Sequence, residues 1–410
     1  MTHDSRVVIT GIGSVSACGW TANDLHSGLL SGSSAVVEPA HFDTSGQRTK
    51  VAGEVPPAPE SIIRKIPEWA TLSRSDRFAV AAAIEAVEQA GLSEGLPAAA
   101  VIFGGSTGGM FECEEYVGRL LCTRASHPAI RLLASQQINS PGDAVARHLK
   151  LTGPVQTVSS ACASGTLALG VALDELRSGQ SDVVLAGGSD SLCLLTYSGF
   201  NSLRSVDSRP SRPFRADRQG LSVGEGAGVL VLENLDHALD RGAVPLAELL
   251  GAGASCDATH MTAPHPEGEG AATAIRNAIA DAGISVDRVD FVNAHGTGTP
   301  QNDVSESRAL HSVFGERAAV LPVTSNKATI GHLLGSAGAV EAVSTVLSLI
   351  HSVIHPMPDG GDVDAELDLD IVLGSPRSVP SAGVAISSSF AFGGANAAVV
   401  IGGWEEGSAE

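Results

Sequence analysis

The sequence predicts an α/β protein built from two fused halves with similar orders of strands and helices. Its composition combines 43% apolar residues, 17% charged residues and 47 glycines, which suits a compact α/β enzyme and excludes a disordered or fibrous chain. Strand-like and helix-like segments alternate along the 410 residues, and the pattern begins again near residue 245. We therefore expect an N-terminal half at residues 1–245 and a C-terminal half at residues 246–410.

The N-terminal half reads as alternating strands and helices. In the second predicted element, Val80 and Val87 belong to an apolar stripe with helical spacing, whereas Glu85 and Glu88 lie on a face that we expect to be solvated. A later strand that ends at Cys162 is followed by a helix and another strand, an order that implies parallel pairing through a right-handed crossover. The expected strands are 7–10, 100–103, 183–186 and 229–232, and the expected helices are 73–90 and 164–177.

The C-terminal half repeats this alternation without an obvious linker or low-complexity tract. Short apolar runs bounded by glycine, proline and serine indicate strands, and longer periodic runs indicate helices. The expected strands are 248–250, 290–292, 322–325, 384–387 and 397–401, and the expected helices are 271–282, 303–314 and 335–350.

Charge and cysteine usage exclude several classes of function. The formal net charge of −20 argues against non-specific nucleic-acid binding, which needs a basic surface. No apolar run reaches transmembrane length and no signal-peptide pattern begins the chain, so we expect a cytoplasmic protein without a membrane partner. The scattered cysteines predict reduced thiols rather than a disulfide framework; they are Cys18, Cys113, Cys122, Cys162, Cys193 and Cys256.

A short glycine motif follows the first strand. Gly11 and Gly13 form a GxG pattern that is shared with dinucleotide-binding loops. Ser16 occupies the place of the third glycine, so the motif is only a weak indication of a nucleotide site.

Cys162 lies where a β-branched run ends and a helical run begins. A helix N-terminus offers partial positive charge and unpaired N–H groups, and both favour the thiolate form of cysteine. The small neighbours Ala161, Ala163 and Gly165 leave room for a substrate beside the sulfur. The alternative for a lone cysteine is a buried, small apolar residue.

Two histidine segments favour chemistry at Cys162. His295 follows a strand and enters a glycine-rich turn, at the sheet edge where open α/β sheets hold their sites. His332 stands among glycines and small residues before a helix. A zinc site would be the competing explanation, but the spacing is not compact and no second cysteine or carboxylate accompanies the three residues, so we expect no metal.

Four long segments resemble the signature segments of the β-ketoacyl-acyl-carrier-protein synthases, in that family's order. They are VSSACASGT (158–166), NAHGTGTPQND (293–303), SNKATIGHLLGSAGAVEA (325–342) and SSSFAFGGANAAVV (387–400). The resemblance is strongest to synthase II and to the ketosynthases of type II polyketide and aryl-polyene systems. It implies the thiolase fold, with two similar halves in a five-layered α-β-α-β-α sandwich that is usually dimeric.

The resemblance implies an elongating ketosynthase that performs decarboxylative Claisen condensation. Cys162 would hold the acyl chain as a thioester, and the backbone N–H groups of Cys162 and Phe392 would form the oxyanion hole. His295 and His332 would assist decarboxylation of malonyl-acyl-carrier protein and stabilise the enolate. Phe392, with its neighbour Phe390, would form the gate between the acyl and malonyl steps.

Supporting roles follow from the same resemblance. Lys327 would pair with Glu341 and order the histidines. The remaining matches are Thr297 and Thr299 for binding of the pantetheine amides, and Asp303 and Glu306 for support of the His295 loop. No permanently bound cofactor is implied, because the substrates are carried on the phosphopantetheine of an acyl-carrier protein.

Two departures from synthase II concern specificity. Residues 301–303 read Gln-Asn-Asp, which is more similar to the polyketide and aryl-polyene ketosynthases. Cys113 stands near the position of a bulky aliphatic residue at the floor of the acyl pocket, so a smaller side chain there would deepen the pocket. A plain packing role is the alternative for Cys113.

The expected partners are an acyl-carrier protein and a second subunit, either an identical chain or a chain-length factor. Carrier proteins of these systems are acidic, so docking to this acidic chain must use local cations. The candidates are Arg64, Lys65, Arg74, Arg77, Arg119, Arg124, Arg204 and Arg209.

Four other interpretations compete with an elongating ketosynthase. A chain-length factor would lack the nucleophile that Cys162 provides, and an initiating synthase III would have asparagine in place of His332. A thiolase would need a second catalytic cysteine near residues 390–394, which offer none. An inactive scaffold that binds acyl-carrier protein is the alternative from another functional class.

Overall fold

The computed structural model describes residues 6–92, 96, 98–122, 129–380 and 383–405. Within these residues the strands are β1 (Val7–Val15), β2 (Ala100–Gly104), β3 (Val155–Val158), β4 (Val183–Asp190), β5 (Gly226–Asn234), β6 (Ala247–Cys256), β7 (Val289–Asn293), β8 (Pro322–Thr324), β9 (Val353–Ile354), β10 (Asp370–Ile371), β11 (Arg377–Ser378), β12 (Val384–Phe390) and β13 (Ala395–Gly403). The α-helices are α1 (Ala22–Leu30), α2 (Glu60–Lys65), α3 (Arg74–Gln89), α4 (Met110–Cys122), α5 (Ser140–His148), α6 (Ser164–Arg177), α7 (Leu194–Ser202), α8 (Leu235–Asp240), α9 (Glu269–Asp281), α10 (Pro300–Phe314), α11 (Lys327–Ile330) and α12 (Ala337–Ile350).

A mixed sheet organises the molecule. Its strand order is β10-β8-β7-β12-β13-β6-β1-β5-β4-β2-β3. The short β1–β6 pairing, Val8 opposite Glu248 and Ile9 opposite Ala247, joins its N-terminal and C-terminal parts. Strands β3 and β4 both run parallel to β2, which lies between them, so the predicted parallel crossover is present but its two strands are not neighbours. The division of the chain at residue 245 stays a prediction.

Helices cover the sheet in layers. Helices α6 and α12 contact strands from both parts of the sheet and form the central helical layer. Helix α3 packs on β1, β5 and α5 on one outer side, and α9 packs on β6, β13 and α10 on the other. This arrangement confirms the predicted thiolase-like α/β fold and its five layers. Within the described part of the chain, no helix combines the length and apolar character needed to cross a bilayer.

Helix α3 shows where the sequence pattern was right and where it was wrong. Its start is capped as expected, because Ser73 accepts a hydrogen bond from the N–H of Asp76 in a capping box. Glu85, however, does not lie on a solvated face. Its carboxylate accepts hydrogen bonds from the N–H groups of Ser14 and Ala22, and burial raises the pKa of Glu85 to about 7. The face that looked polar therefore receives the start of α1.

The Gly11 and Gly13 motif is explained by packing of β1 against α3. A Cβ atom placed on either glycine would lie 2.0 Å from a backbone carbonyl oxygen of α3, that of Ala86 or Ala82. Glycine is required at both positions because the helix backbone comes this close to the strand. The motif thus serves helix–strand packing.

We expect Gly13→Ala to lower the free energy of unfolding by about 1–3 kcal/mol, the usual cost of overpacking a dense core. The matched control is Gly46→Ala, because a Cβ atom at Gly46 meets nothing within 4 Å. Urea unfolding of the two variants at equal protein concentration makes the comparison. Equal stabilities would show that α3 and β1 can separate without cost.

Candidate active site

Cys162 lies in a tight turn between β3 and α6. The strand ends at Val158, four residues earlier than the sequence pattern indicated, because Ala161 adopts the left-handed conformation with φ of 46°. The hydroxyl of Ser164 holds this turn: it accepts a hydrogen bond from the N–H of Ser160 at 2.8 Å and donates to the carbonyl of Ala161 at 2.6 Å. The sulfur-bearing residue is left only 8% exposed and lines a cavity.

Burial governs the ionisation of Cys162. It raises the pKa of the thiol to about 11, which the charge of Lys327 and a hydrogen bond from the N–H of Phe392 only partly oppose. The carboxylates of Asp190 and Glu341 raise this pKa further. Burial therefore opposes the thiolate that the helix N-terminus is expected to favour, and that preference for the thiolate stays a prediction. The sulfur is a thiol at neutral pH and ionises as it reacts.

The two histidines meet at the same cavity. His295 follows the C-terminal end of β7, and His332 follows α11 after Gly331, whose φ is 79°. Their ring centroids lie 5.3 Å apart with the planes nearly perpendicular, and both rings line the cavity that Cys162 also lines. Burial, followed by the charge of Lys327, lowers the pKa of each ring well below 6.5. Both imidazoles are therefore neutral at physiological pH.

Hydrogen bonding fixes the tautomer of His332. Its Nδ1 accepts a hydrogen bond from the N–H of Leu334 at 3.1 Å, so the proton of the neutral ring resides on Nε2. His332 can thus donate a hydrogen bond to negative charge that develops on a substrate. The Nδ1 of His295 is buried without a hydrogen-bond partner among the described residues, which leaves that ring free to adapt to a ligand.

Lys327 and Glu341 form a buried ion pair behind the imidazoles. The Nζ of Lys327, the first residue of α11, donates to Oε1 of Glu341 on α12. The side chains are only 1% and 2% exposed. Burial raises the pKa of Glu341, and the adjacent ammonium opposes that rise. Lys327 therefore adds to burial in lowering the pKa values of both imidazoles.

Asp303 and Glu306, on α10, hold the loop that carries His295. The two carboxylate oxygens of Glu306 accept hydrogen bonds from the N–H groups of His295 and Gly296, each at 2.8 Å. Asp303 accepts one from the N–H of Gly298 at 3.1 Å. Burial raises the pKa of Glu306 to about 7. These contacts anchor the backbone on both sides of the imidazole.

The cavity has a volume of about 360 Å³ and brings together most of the residues singled out in the sequence. The hydroxyls of Thr297 and Thr299 lie 3.0 Å apart on its wall. The ring of Phe392 lies 5.8 Å from that of Phe200 and is followed by two glycines with positive φ. The lining of the cavity includes Cys162, Phe200, Arg204, His295, Thr297, Thr299, Asn302, His332, Phe390, Phe392 and Asn396.

Cys113 is not among the residues that line this cavity. It lies on α4, which has no buried residue and contacts α7 and a short 3₁₀ helix. An acyl pocket that reaches Cys113 would have to extend beyond the cavity of the single chain.

The candidate docking cations differ in their surroundings. Arg204 is exposed at the mouth of the cavity, and Arg64 and Lys65 are exposed on α2, where they pair with surface glutamates. Arg74 instead forms an ion pair with the fully buried Glu225, and Arg77 donates to a backbone carbonyl at 2.9 Å. These two arginines stabilise the folded protein through internal contacts. Arg119 and Arg209 pair with neighbouring carboxylates, and Arg124 lies outside the described residues.

Sequence reasoning missed Asp190, the last residue of β4. It is fully buried and accepts hydrogen bonds from the loop of Ser106 and Thr107 and from Gly335. An acidic residue that follows an apolar run, two glycines and a serine is a signal that could have found it.

The fold and this cavity define a class: thiolase-like acyltransferases with a cysteine nucleophile and two imidazoles. Within that class, the chain belongs to the β-ketoacyl synthase family. The model of the family's N-terminal domain matches residues 4–238, and the model of its C-terminal domain matches residues 246–360.

Known proteins resemble the chain along almost its whole length. A 3-oxoacyl-[acyl-carrier-protein] synthase 2 of Synechocystis sp. is 36% identical, over 95% of this chain and 96% of the relative. The solved ishigamide ketosynthase/chain length factor superposes with a TM-score of 0.91 at 35% identity, covering 98% of this chain and 100% of the other. A type II polyketide-synthase ketosynthase, solved in complex with its acyl-carrier protein, superposes with a TM-score of 0.85 at 30% identity over the same shares.

Proposed function

We propose that this β-ketoacyl synthase is an elongating ketosynthase. It condenses malonyl-acyl-carrier protein with an acyl chain held on Cys162 and releases 3-oxoacyl-acyl-carrier protein and carbon dioxide. The observation that carries the proposal is the convergence of one thiol and two neutral imidazoles on a single cavity of about 360 Å³. Both substrates arrive as thioesters on the phosphopantetheine of a carrier protein, in fatty-acid or type II polyketide or polyene synthesis.

In the first half-reaction, the sulfur of Cys162 attacks the acyl carbonyl carbon. A new carbon–sulfur bond forms, the bond to the phosphopantetheine sulfur breaks, and the cysteine proton leaves with the departing thiol. The N–H of Phe392 already lies within hydrogen-bond reach of the Cys162 sulfur, so it is placed to donate to the oxyanion together with the N–H of Cys162 itself. The charge of Lys327 favours the thiolate as it forms.

In the second half-reaction, the bond between the malonyl carboxylate carbon and the α-carbon breaks and carbon dioxide leaves. The electron pair passes to the thioester, and the enolate oxygen accepts hydrogen bonds from the Nε2–H of His332 and from His295. The enolate carbon then attacks the acyl carbonyl, and the Cys162 thiolate departs. Neutral imidazoles suit this step because each can donate a hydrogen bond to the enolate oxygen without giving up its proton.

The proposed site also includes residues that bind the pantetheine arm and residues that form the gate. Thr297 and Thr299 face the cavity and would hydrogen-bond the pantetheine amides. Phe392 and Phe390, with glycines of positive φ at 393 and 394, would form the gate between the two half-reactions. Asp303 and Glu306 would keep the His295 loop in place.

An acyl-carrier protein is the proposed macromolecular partner, as in the ketosynthase complex described above. Arg64, Lys65, Arg119, Arg204 and Arg209 remain the proposed docking cations because they are exposed, and Arg124 stays a candidate that lies outside the described residues. Arg74 and Arg77 are withdrawn from that set because they are engaged inside the protein. The six cysteines are free, which supports a reducing cytoplasmic location.

A second subunit is the other proposed partner. Strand β3 lies at the edge of the sheet, and Val155 on it is exposed. Helix α4 exposes Val117, Leu120 and Leu121. An edge strand and an apolar helix face of this kind are usually covered. We propose a homodimer, or a heterodimer with a chain-length factor as in the ishigamide pair.

Cys113 is proposed to line an acyl pocket that this second subunit completes. We expect Cys113→Phe to shorten the acyl chains that the enzyme accepts, because the larger ring would fill the far end of the pocket. Product length from a mixture of acyl-carrier proteins, read by intact-protein mass spectrometry, measures the effect. Cys122→Phe, an exposed position on the same helix, is the control. An unchanged chain preference in Cys113→Phe would leave Cys113 with a packing role alone.

The decisive test of the proposed function is incubation of the purified protein with malonyl-carrier protein and a panel of acyl-carrier proteins. We expect acyl-Cys162 adducts and 3-oxoacyl products that are longer by two carbons. An inactive scaffold would bind carrier protein yet give neither adduct nor product.

A further inference from the structure

Asp190 places a fully buried carboxylate between the two parts of the fold. It ends β4, and five donor groups make six hydrogen bonds to its carboxylate. Thr107 donates its N–H at 2.7 Å and its hydroxyl at 2.8 Å to Oδ1, and the N–H of Ser106 lies 3.0 Å from both oxygens. The hydroxyl of Ser106 donates to Oδ2 at 2.8 Å, and the N–H of Gly335 donates to Oδ2 at 2.7 Å.

In every one of these contacts the partner donates and Asp190 accepts, so the site fits a carboxylate. Three of the donors are backbone N–H groups, which cannot turn round to become acceptors. The position at Gly335 is also tight, since a Cβ atom there would lie 2.7 Å from Oδ2 of Asp190. Asp190 therefore holds Gly335, which belongs to the C-terminal part of the chain, against a loop of the N-terminal part.

Gly335 is the neighbour of the residue that determines the protonation of His332. Leu334 adopts a left-handed conformation with φ of 56°, which is unfavourable for leucine and must be held by its surroundings. In that conformation its N–H points at Nδ1 of His332, at 3.1 Å. The N–H of Gly335, one residue later, is the group that Asp190 binds.

We propose that Asp190 is a positioning residue that acts through Gly335 and Leu334 to keep the proton of His332 on Nε2. The inference rests on the proposed function, in which that Nε2–H stabilises the enolate of the malonyl thioester. Asp190 thereby couples the part of the fold that carries Cys162 to the part that carries the decarboxylating histidine.

The variant Asp190→Asn tests this without a change of volume. Its amide oxygen can still accept from Thr107, but its NH₂ group would then face the N–H of Gly335, donor against donor. The hydroxyl of Ser106 can rotate to accept from that NH₂, whereas the Gly335 N–H cannot. The matched control is Thr107→Val, which removes only a hydroxyl on Oδ1, the oxygen that does not bind Gly335.

Two half-reactions are measured separately. Decarboxylation of malonyl-carrier protein is followed in a Cys162→Gln background, and acylation is followed with Cys162 intact. We expect Asp190→Asn to slow decarboxylation by about 2- to 10-fold, in proportion to the share of His332 that no longer carries its proton on Nε2. Acylation should not slow, because it does not use the His332 proton and because loss of the Asp190 charge, which raises the pKa of Cys162, favours the thiolate. Thr107→Val should resemble its parent in both assays.

Nitrogen-15 NMR of histidine-labelled protein reads the tautomer directly and does not depend on activity. We expect the Nε2–H form of His332 in the parent and a mixture of both neutral forms in Asp190→Asn. A retained Nε2–H form, or equal losses in acylation and decarboxylation, would overturn the inference. If Cys162→Gln itself fails to decarboxylate, the proposed function fails, and the NMR result alone decides the role of Asp190.

A variant that does not fold would still leave a test. Ser106→Ala removes the hydroxyl that donates to Oδ2 of Asp190. The oxygen of that hydroxyl also lies 3.3 Å from the backbone nitrogen of Gly335. We expect it to slow decarboxylation more than Thr107→Val does, because only Ser106 shares the oxygen that binds Gly335. Equal rates in these two variants would overturn the inference.

Discussion

Replacing Cys162 by alanine is expected to lower the rate of condensation by at least about 10⁴-fold, as the loss of a covalent nucleophile does. Cys162→Gln should also abolish condensation, yet it should keep decarboxylation of malonyl-carrier protein. The glutamine amide carbonyl can take the place of the acyl thioester carbonyl beside the N–H of Phe392, while no thioester can form. Intact-protein mass spectrometry follows both products, the 3-oxoacyl chain and the acetyl chain left by decarboxylation.

The control in the same background is His332→Ala, which should remove the decarboxylation that Cys162→Gln retains. Condensation by Cys162→Ala would contradict the covalent mechanism. The pH dependence adds a second check: because burial raises the pKa of Cys162 to about 11, acylation should accelerate from pH 6 to pH 9. Decarboxylation should stay level over that range, since both imidazoles are already neutral.

The sequence predicted the bounds of an element correctly where the apolar periodicity and the positions of small residues indicate the same bounds. Helix α6 begins at Ser164 and ends at Arg177 in the structure, as the pattern indicated. The predicted end of β3 was wrong because alanine rarely adopts a left-handed backbone conformation, so nothing in the sequence indicated that Ala161 does. The polar face assigned to Glu85 was wrong because residues distant in sequence supply the two N–H groups that bind it.

The site was located by its motifs, but its electrostatics were not. A helix N-terminus is visible in a sequence, and the expectation of a thiolate at Cys162 followed from it. The desolvation that raises the pKa of that thiol comes from segments separated by hundreds of residues, which the sequence does not place. Asp190 escaped notice for the same reason, since its donors Ser106 and Gly335 lie far from it in the sequence, one on each side.

Lys327→Met is expected to have the largest effect on stability. It removes the cation from a buried pair and leaves Glu341 as an unpaired buried carboxylate, a change that costs about 3–5 kcal/mol in comparable pairs. Without the ammonium, the pKa of Glu341 rises further above its ordinary value. The folded state then binds a proton more tightly than the unfolded state, so the variant loses stability as pH rises above about 4.5. Urea unfolding at pH 5 and pH 8, at fixed protein concentration, measures this trend.

The double variant Lys327→Met, Glu341→Leu separates the two roles of the pair. Removing both charges leaves no unpaired carboxylate, so stability should return to within about 1 kcal/mol of the parent and lose its extra pH dependence. The histidines, however, still lack the cation that helps to lower their pKa values, so these rise toward 6.5 in both variants. Protonated rings form at higher pH as a result, and the acid limb of decarboxylation should move upward in both. A double variant with the parent's pH profile would show that burial alone keeps the imidazoles neutral, and a single variant as stable as the parent at pH 8 would show that Glu341 does not need Lys327.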